Sequence, residues 1–105
     1  MPLPALPTRI ELGELTIDLE ARRVAVSGHR VVLAPKEYEL LLELASAPHR
    51  VFRKSDLLRT VWGFRSAART RTLDSHACRL RRKLEAGGPR RYVVNQWGYG
   101  YRLID

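Results

Sequence analysis

Apolar and polar residues alternate along the first third of the chain. Ile10 and Leu12, then Leu15, Ile17 and Leu19, then Val24 and Val26, then Val31 and Leu33 recur at a spacing of two, the period of a half-buried strand. Gly13-Glu14, Glu20-Ala21-Arg22 and Ser27-Gly28-His29 punctuate these runs as turns, so the pattern predicts an antiparallel meander of up to four strands. From Pro35 the period changes. Tyr38, Leu41, Leu42 and Ala45 recur at three- and four-residue steps, predicting a helix from Pro35 to about Ala47. Proline suits its first position, where an N–H is not needed, and Pro48 stops it. Val51-Phe52 reads as a brief link to a second helix, about Lys54–Val61, that buries Leu57, Leu58 and Val61. Trp62 to Ala68 reads as a loop around Gly63. A third helix follows from about Thr70 to Glu85, ended by Gly87-Gly88-Pro89.

The last sixteen residues read as a hairpin, Arg91–Asn95 and Tyr99–Ile104, turning near Trp97-Gly98. Residues 1–8, with three prolines, read as a flexible leader, leaving 9–105 as one domain. Sheet, three helices and hairpin in that order predict an α+β fold. Two helices meeting across a short connection, with a hairpin after the third, make a helix-turn-helix carrying a β-wing.

Charge sharpens the picture. The 105 residues carry 19 Lys and Arg against 11 Asp and Glu, a formal net charge of +8. Residues 1–52 hold six basic and seven acidic side chains, whereas residues 53–105 hold thirteen basic and four acidic ones. The whole cationic excess lies in the second half, as expected of a face that binds a polyanion. A solvated basic surface is the bland alternative.

The third helix weakens that alternative. At about 100° per residue, Leu73, Ala77, Leu80 and Leu84 share one narrow stripe, which must face the core. Opposite lie Arg71, Ser75, Cys78, Arg79 and Arg82, flanked by Thr72, His76 and Lys83 on one side and Asp74 and Arg81 on the other. The outward face reads as cations and small residues with no acid at its centre. Guanidinium groups there can read guanine edges or clamp phosphates, and Ser75 allows close approach.

Leu33-Ala34-Pro35-Lys36-Glu37-Tyr38-Glu39-Leu40-Leu41, Leu57-Leu58-Arg59-Thr60-Val61-Trp62-Gly63, the run Arg71–Leu84 and Gly98-Tyr99-Gly100-Tyr101-Arg102-Leu103 together resemble the winged-helix effector domain of OmpR/PhoB-type response regulators. The likeness covers nearly everything from Ile10 to Leu103. It implies a four-stranded N-terminal sheet, a three-helix core, a C-terminal hairpin wing and a role in transcription regulation. The resemblance also implies phosphate contacts from Trp62, Arg71, Thr72, His76 and Arg81, to which the basic shoulder adds Lys83. It implies a major-groove base reader at Arg79, with Ser75 beside it and Cys78 and Arg82 on the same face. The wing would touch the neighbouring backbone or minor groove through Asn95, Trp97, Gly98 and Tyr101. A direct repeat bound head-to-tail by a chain that is monomeric in solution is the implied target. The loop over 62–69 is a candidate contact for RNA polymerase, with packing of Trp62 and Phe64 as the alternative.

The sequence also departs from that pattern. Trp97 stands where relatives often carry a minor-groove arginine, and Cys78 replaces a basic or polar residue. Ala34 stands where a capping threonine is usual, which predicts loss of a capping box worth about 1 kcal/mol. Nothing in the first 30 residues supplies the acidic cluster and strand–helix alternation of a receiver domain, and the opening Met and its own leader predict a stand-alone regulator, with an excised domain as the alternative. Cys78 is a candidate redox switch beside two arginines, and His76 a candidate pH sensor. The competing reading for Cys78 is a small tolerated residue, and for His76 a phosphate contact or a packed shoulder residue. Tyr92, Tyr99 and Tyr101 read mostly as core filling.

One cysteine and three scattered histidines give no metal site, no cofactor is implied, and no acid–base or nucleophile constellation suggests an enzyme. No segment is long enough to span a membrane and none reads as a signal peptide, which predicts a cytoplasmic, nucleoid-associated protein. The sequence also admits two other functions: a nonspecific, nucleoid-type DNA binder, and a winged helix used mainly for protein contact.

Overall fold

In the computed structural model, which describes residues 8–64 and 70–105, the alternating segment forms four antiparallel strands in sequence order. They are β1 (Arg9–Leu12), β2 (Leu15–Asp18), β3 (Arg23–Val26) and β4 (His29–Val31). The register pairs Leu15 with Val26 and Ile17 with Val24, putting four buried side chains on one face. Ile10 and Leu12 of β1 and Val31 of β4 extend that face at its margins. The second turn is closed by the side chain at the end of β2: the Ala21 N–H donates to Asp18 Oδ1 at 3.0 Å. Strand β1 starts at Arg9, and the carbonyl of Thr8, the last residue of the expected leader, accepts the Leu19 N–H at 2.8 Å. The remainder of that leader lies outside the described residues.

Helix α1 spans Pro35–Ala45 and α2 spans Lys54–Trp62. Helix α1 ends two residues before the expected Ala47: Ser46 Oγ donates back to the Glu43 carbonyl at 2.6 Å, and the chain leaves the helix ahead of Pro48. Its buried face is broader than the predicted stripe, since Leu40 and Leu44 are fully buried while Leu42 is half-buried. One of the two bonds of a capping box is nonetheless present. Ala34 has no side-chain acceptor, but its N–H donates to Glu37 Oε1 at 3.0 Å. Helix α2 closes on Gly63, whose φ of 74° is the left-handed cap that glycine adopts without a Cβ penalty. Helix α3 runs Thr70–Glu85, as the periodicity predicts.

The link at Val51-Phe52 is more than a link. Phe52–Arg53 forms a short strand, β5, which pairs with β7 (Gly100–Arg102), and β7 pairs with β6 (Val94–Gln96). The expected hairpin is therefore a three-stranded sheet with shorter strands. The first wing strand starts at Val94 rather than Arg91, because Val93 has a φ of 54°, an outlying value for a β-branched residue. Its surroundings hold it there: its N–H donates to the Leu103 carbonyl at 2.8 Å and its own carbonyl accepts Arg81 Nε at 3.1 Å. Gly100 meets the opposite demand, since a Cβ there would overlap the carbonyl of Phe52 across the β5–β7 pair. Tyr92, Val93, Leu103 and Ile104 enter the same core as the three helices and the first sheet.

Candidate nucleic-acid interface

Helix α3 divides cleanly. Leu73, Ala77, Leu80 and Leu84 are each 0% exposed, so the narrow stripe is wholly inside. On the far side Arg71, Arg79 and Arg82 are exposed, with half-buried Ser75 and Cys78 between them, and these side chains line a shallow open trough together with Thr70 and Asp74. The small residues make the floor and the arginines make the rims. Cys78 is a free thiol on that floor.

The face is not without acid, contrary to the sequence reading. Glu37, in the first turn of α1, reaches α3 and takes Arg79 Nε at 3.2 Å and Lys83 Nζ at 2.6 Å. Burial alone would raise its carboxyl, but the hydrogen bonds from Lys83, the Ala34 N–H and Arg79 outweigh it and hold the group below its ordinary range. Periodicity within α3 could not reveal this partner, which lies 42 residues from Arg79 in sequence. The only early signal was a glutamate at the third position of α1 whose reach exceeded its own cap.

The shoulder residues split. Arg71 is exposed and makes no ion pair among the described residues, and Thr72 is half-buried with its carbonyl bound to His76 Nδ1 at 2.7 Å. His76 also meets Trp62 edge-on, ring centroids 5.1 Å apart, so that α2 and α3 present the pair together. Lys83 is engaged by Glu37, and Arg81 by the Val93 carbonyl, so both of these expected phosphate ligands serve contacts within the fold. Residues 65–69 of the expected polymerase-contacting loop lie outside the described residues; Trp62 and Phe64 at its start are half-buried against the core.

The wing tip stands clear of the body. Asn95 and Gly98 are exposed, and Trp97 is 89% exposed, so it is not a core residue. Gly98 at a φ of 73° and the Tyr99 N–H donating to the Gln96 carbonyl at 2.9 Å close the turn that carries it. Tyr101 does not belong to this tip. It points inward, 4% exposed, because its phenol donates to Asp74 Oδ1 at 2.6 Å while Lys54 Nζ approaches the same oxygen at 3.1 Å. Burial and the neighbouring Asp74 carboxylate push its phenol well above the ordinary value. The site is thus a basic trough on α3, a Trp62–His76 shoulder and a projecting wing. Among the described residues no cluster of His, Cys, Asp and Glu could hold a metal ion, and no helix is long and apolar enough to cross a membrane.

Residues 28–103 match the family described as "Transcriptional regulatory protein, C terminal". Transcriptional regulatory protein ResD of Bacillus subtilis (strain 168) is 41% identical over 101 residues, covering 92% of this chain and 42% of ResD. The chain spans about two fifths of the length of the curated relatives it matches. Among solved structures, the DNA-binding domain of response regulator AdeR in complex with an intercistronic region superposes with a TM-score of 0.80 at 31% identity, covering 91% of this chain and 99% of that one. The Klebsiella pneumoniae RstA DNA-binding domain in complex with the RstA box gives 0.81 at 28% identity, covering 93% and 98%. In both comparisons the shared architecture is the four-stranded sheet, three helices and terminal wing described above.

Proposed function

The chain belongs to the family of C-terminal domains of transcriptional regulatory proteins, the OmpR/PhoB-type winged helices, and on that premise we propose that it is a sequence-specific double-stranded-DNA-binding module of a bacterial transcriptional regulator. The carrying observation is the division of α3, with every apolar residue of one stripe buried and Arg71, Arg79 and Arg82 uncovered on the other side. A helix of that build fits a major groove: the rim arginines reach base edges or phosphates while Ser75 and Cys78 let the axis approach. Arg79 reads a base, Arg71 and the Trp62–His76 shoulder meet phosphates, and Asn95, Trp97 and Gly98 contact the flanking backbone or minor groove. The likeness to AdeR and RstA, both solved on DNA, supports this placement.

The operator in this reading is a direct repeat occupied head-to-tail by chains that are monomeric when free, with the 62–69 loop turned toward RNA polymerase. Such a role requires access to the chromosome, hence the bacterial cytoplasm, and calls for no catalytic chemistry. The test is a pair of duplexes, one carrying a site selected from random sequence and one scrambled. Arg79→Ala should weaken the selected site by about 1–3 kcal/mol, roughly 5- to 150-fold, and the scrambled one much less. With about six phosphates neutralised, log K should fall against log salt with a slope near −5. Equal losses on both duplexes would make Arg79 a phosphate contact and favour a nonspecific binder; a flat salt response would remove the nucleic-acid reading and leave protein contact.

A further inference from the structure

Glu37 is the one charged residue among the described residues that is fully buried, at 1% exposure, and both cations closing on it come from α3. Its two oxygens divide the work. Oε1 accepts the Ala34 N–H and Lys83 Nζ, and Oε2 accepts Arg79 Nε. We propose that Glu37 is a specificity-determining positioning residue: it withholds Lys83 and the Nε edge of Arg79 from phosphates, so that Arg79 meets DNA only through its two terminal amino groups. The inference rests on the DNA-binding reading above.

An unrestrained arginine beside a duplex finds phosphate first, because phosphate is the densest negative charge and lies on every sequence. Fixing Nε to an immobile carboxylate removes that freedom. The guanidinium plane is set by a group rooted in a different helix, and only the outer pair of N–H groups remains for an end-on fork, the arrangement that matches guanine O6 and N7. Arg79 stays 49% exposed along its side chain, so the outer end is accessible despite the tether. Lys83, at 2.6 Å from Oε1, is neutralised where it stands and adds little to sequence-independent attraction. The apolar residues of α1 and α3 already share one core, so an ion pair is not required to join the helices. A buried acid that subtracts phosphate-seeking charge from the reading face therefore improves discrimination while lowering gross affinity.

Binding of the intact chain to the selected and scrambled duplexes, measured across a salt series, tests this with Glu37→Gln. The expected result is the reverse of ordinary damage. Scrambled-duplex affinity should rise about threefold or more, the salt slope should steepen by about one to two units as two cations are released, and discrimination should fall about tenfold. Weakened binding to both duplexes with an unchanged slope would make Glu37 structural only and overturn the proposal, as would no change at all. Wild-type protein that binds neither duplex would instead overturn the DNA reading itself. Should Glu37→Gln fail to fold, Lys83→Met decides: an unchanged slope and near-normal affinity support the proposal, and a slope shallower by about one unit overturns it.

Discussion

Replacing Trp97 with alanine separates folding from binding with unusual clarity. The side chain is 89% exposed at the tip of the turn between β6 and β7, so folding removes only about a tenth of its surface from water. An indole buries at most roughly 250 Å² and each Å² contributes about 25 cal/mol, which gives a stability loss of about 0.6 kcal/mol. For a domain of this size that corresponds to a fall in Tm of under about 5 °C. A tryptophan in the core would instead cost about 3–5 kcal/mol. On DNA the ring has no charge to offer, and it acts by stacking on deoxyribose or by inserting partway at a flexible base step. Stacking contacts of this kind are worth about 1–3 kcal/mol per base; with one face of the ring in water, the lower half of that range applies, about 1–2 kcal/mol or roughly 5- to 30-fold in Kd. Fluorescence anisotropy with a labelled duplex, beside a thermal melt of the same preparation, measures both. The slope of log K against log salt should stay unchanged in Trp97→Ala and steepen in Trp97→Arg, which should also regain affinity. A large drop in Tm, or an unaltered Kd with Tm intact, would refute the assignment of this ring to the interface.

Other expectations follow from the inner contacts. Tyr101→Phe removes the 2.6 Å bond to Asp74 but leaves Lys54 on the same carboxylate, so stability should fall by about 1–1.5 kcal/mol in urea titration with little effect on DNA affinity. Gly100→Ala forces a methyl group onto the Phe52 carbonyl and should cost about 3 kcal/mol or more, with amide exchange accelerating first in the wing strands. Glu37 contributes to acid sensitivity with a definite sign. Its carboxyl lies below the ordinary 4.5 in the folded chain, so the stability it supplies is complete above that value and is lost as pH falls through the depressed one. Melts between about pH 5 and pH 3 should therefore show a shallower decline in Glu37→Gln than in the unaltered chain.

Much of this architecture is written locally. Period-two alternation located all four strands of the first sheet, and the 3.6-residue stripe located α3 to its ends, because one-sided burial leaves a regular mark on sequence. Strand β5 left no such mark. Two residues are too few for a period, and its pairing partner lies nearly fifty positions away. Tyr101 misled for a related reason: alternation along the wing says that one face turns inward, but not that Asp74 on α3 waits there for a phenol. The outward arginines were legible from the helix wheel, whereas the carboxylate that holds Arg79 was not, since a wheel describes one helix and Glu37 belongs to another. Local periodicity reports which side of an element is wet; the long-range polar contacts that aim its side chains are decided by topology.

Strand β5 joins α2 with no intervening residue, and its pairing with β7 ties the wing to the start of the helix-turn-helix. The two ends that grip DNA in the proposed reading are thus the jaws of a fixed calliper rather than two arms on a string. A single base pair inserted between the bases facing α3 and those facing Trp97 would shift one target by about 3.4 Å and turn it by roughly 35° about the duplex axis. A wing on a flexible tether could follow that displacement. A wing clamped through Phe52 and Arg53 cannot, so the spacing within each half-site should be as strictly selected as the bases themselves.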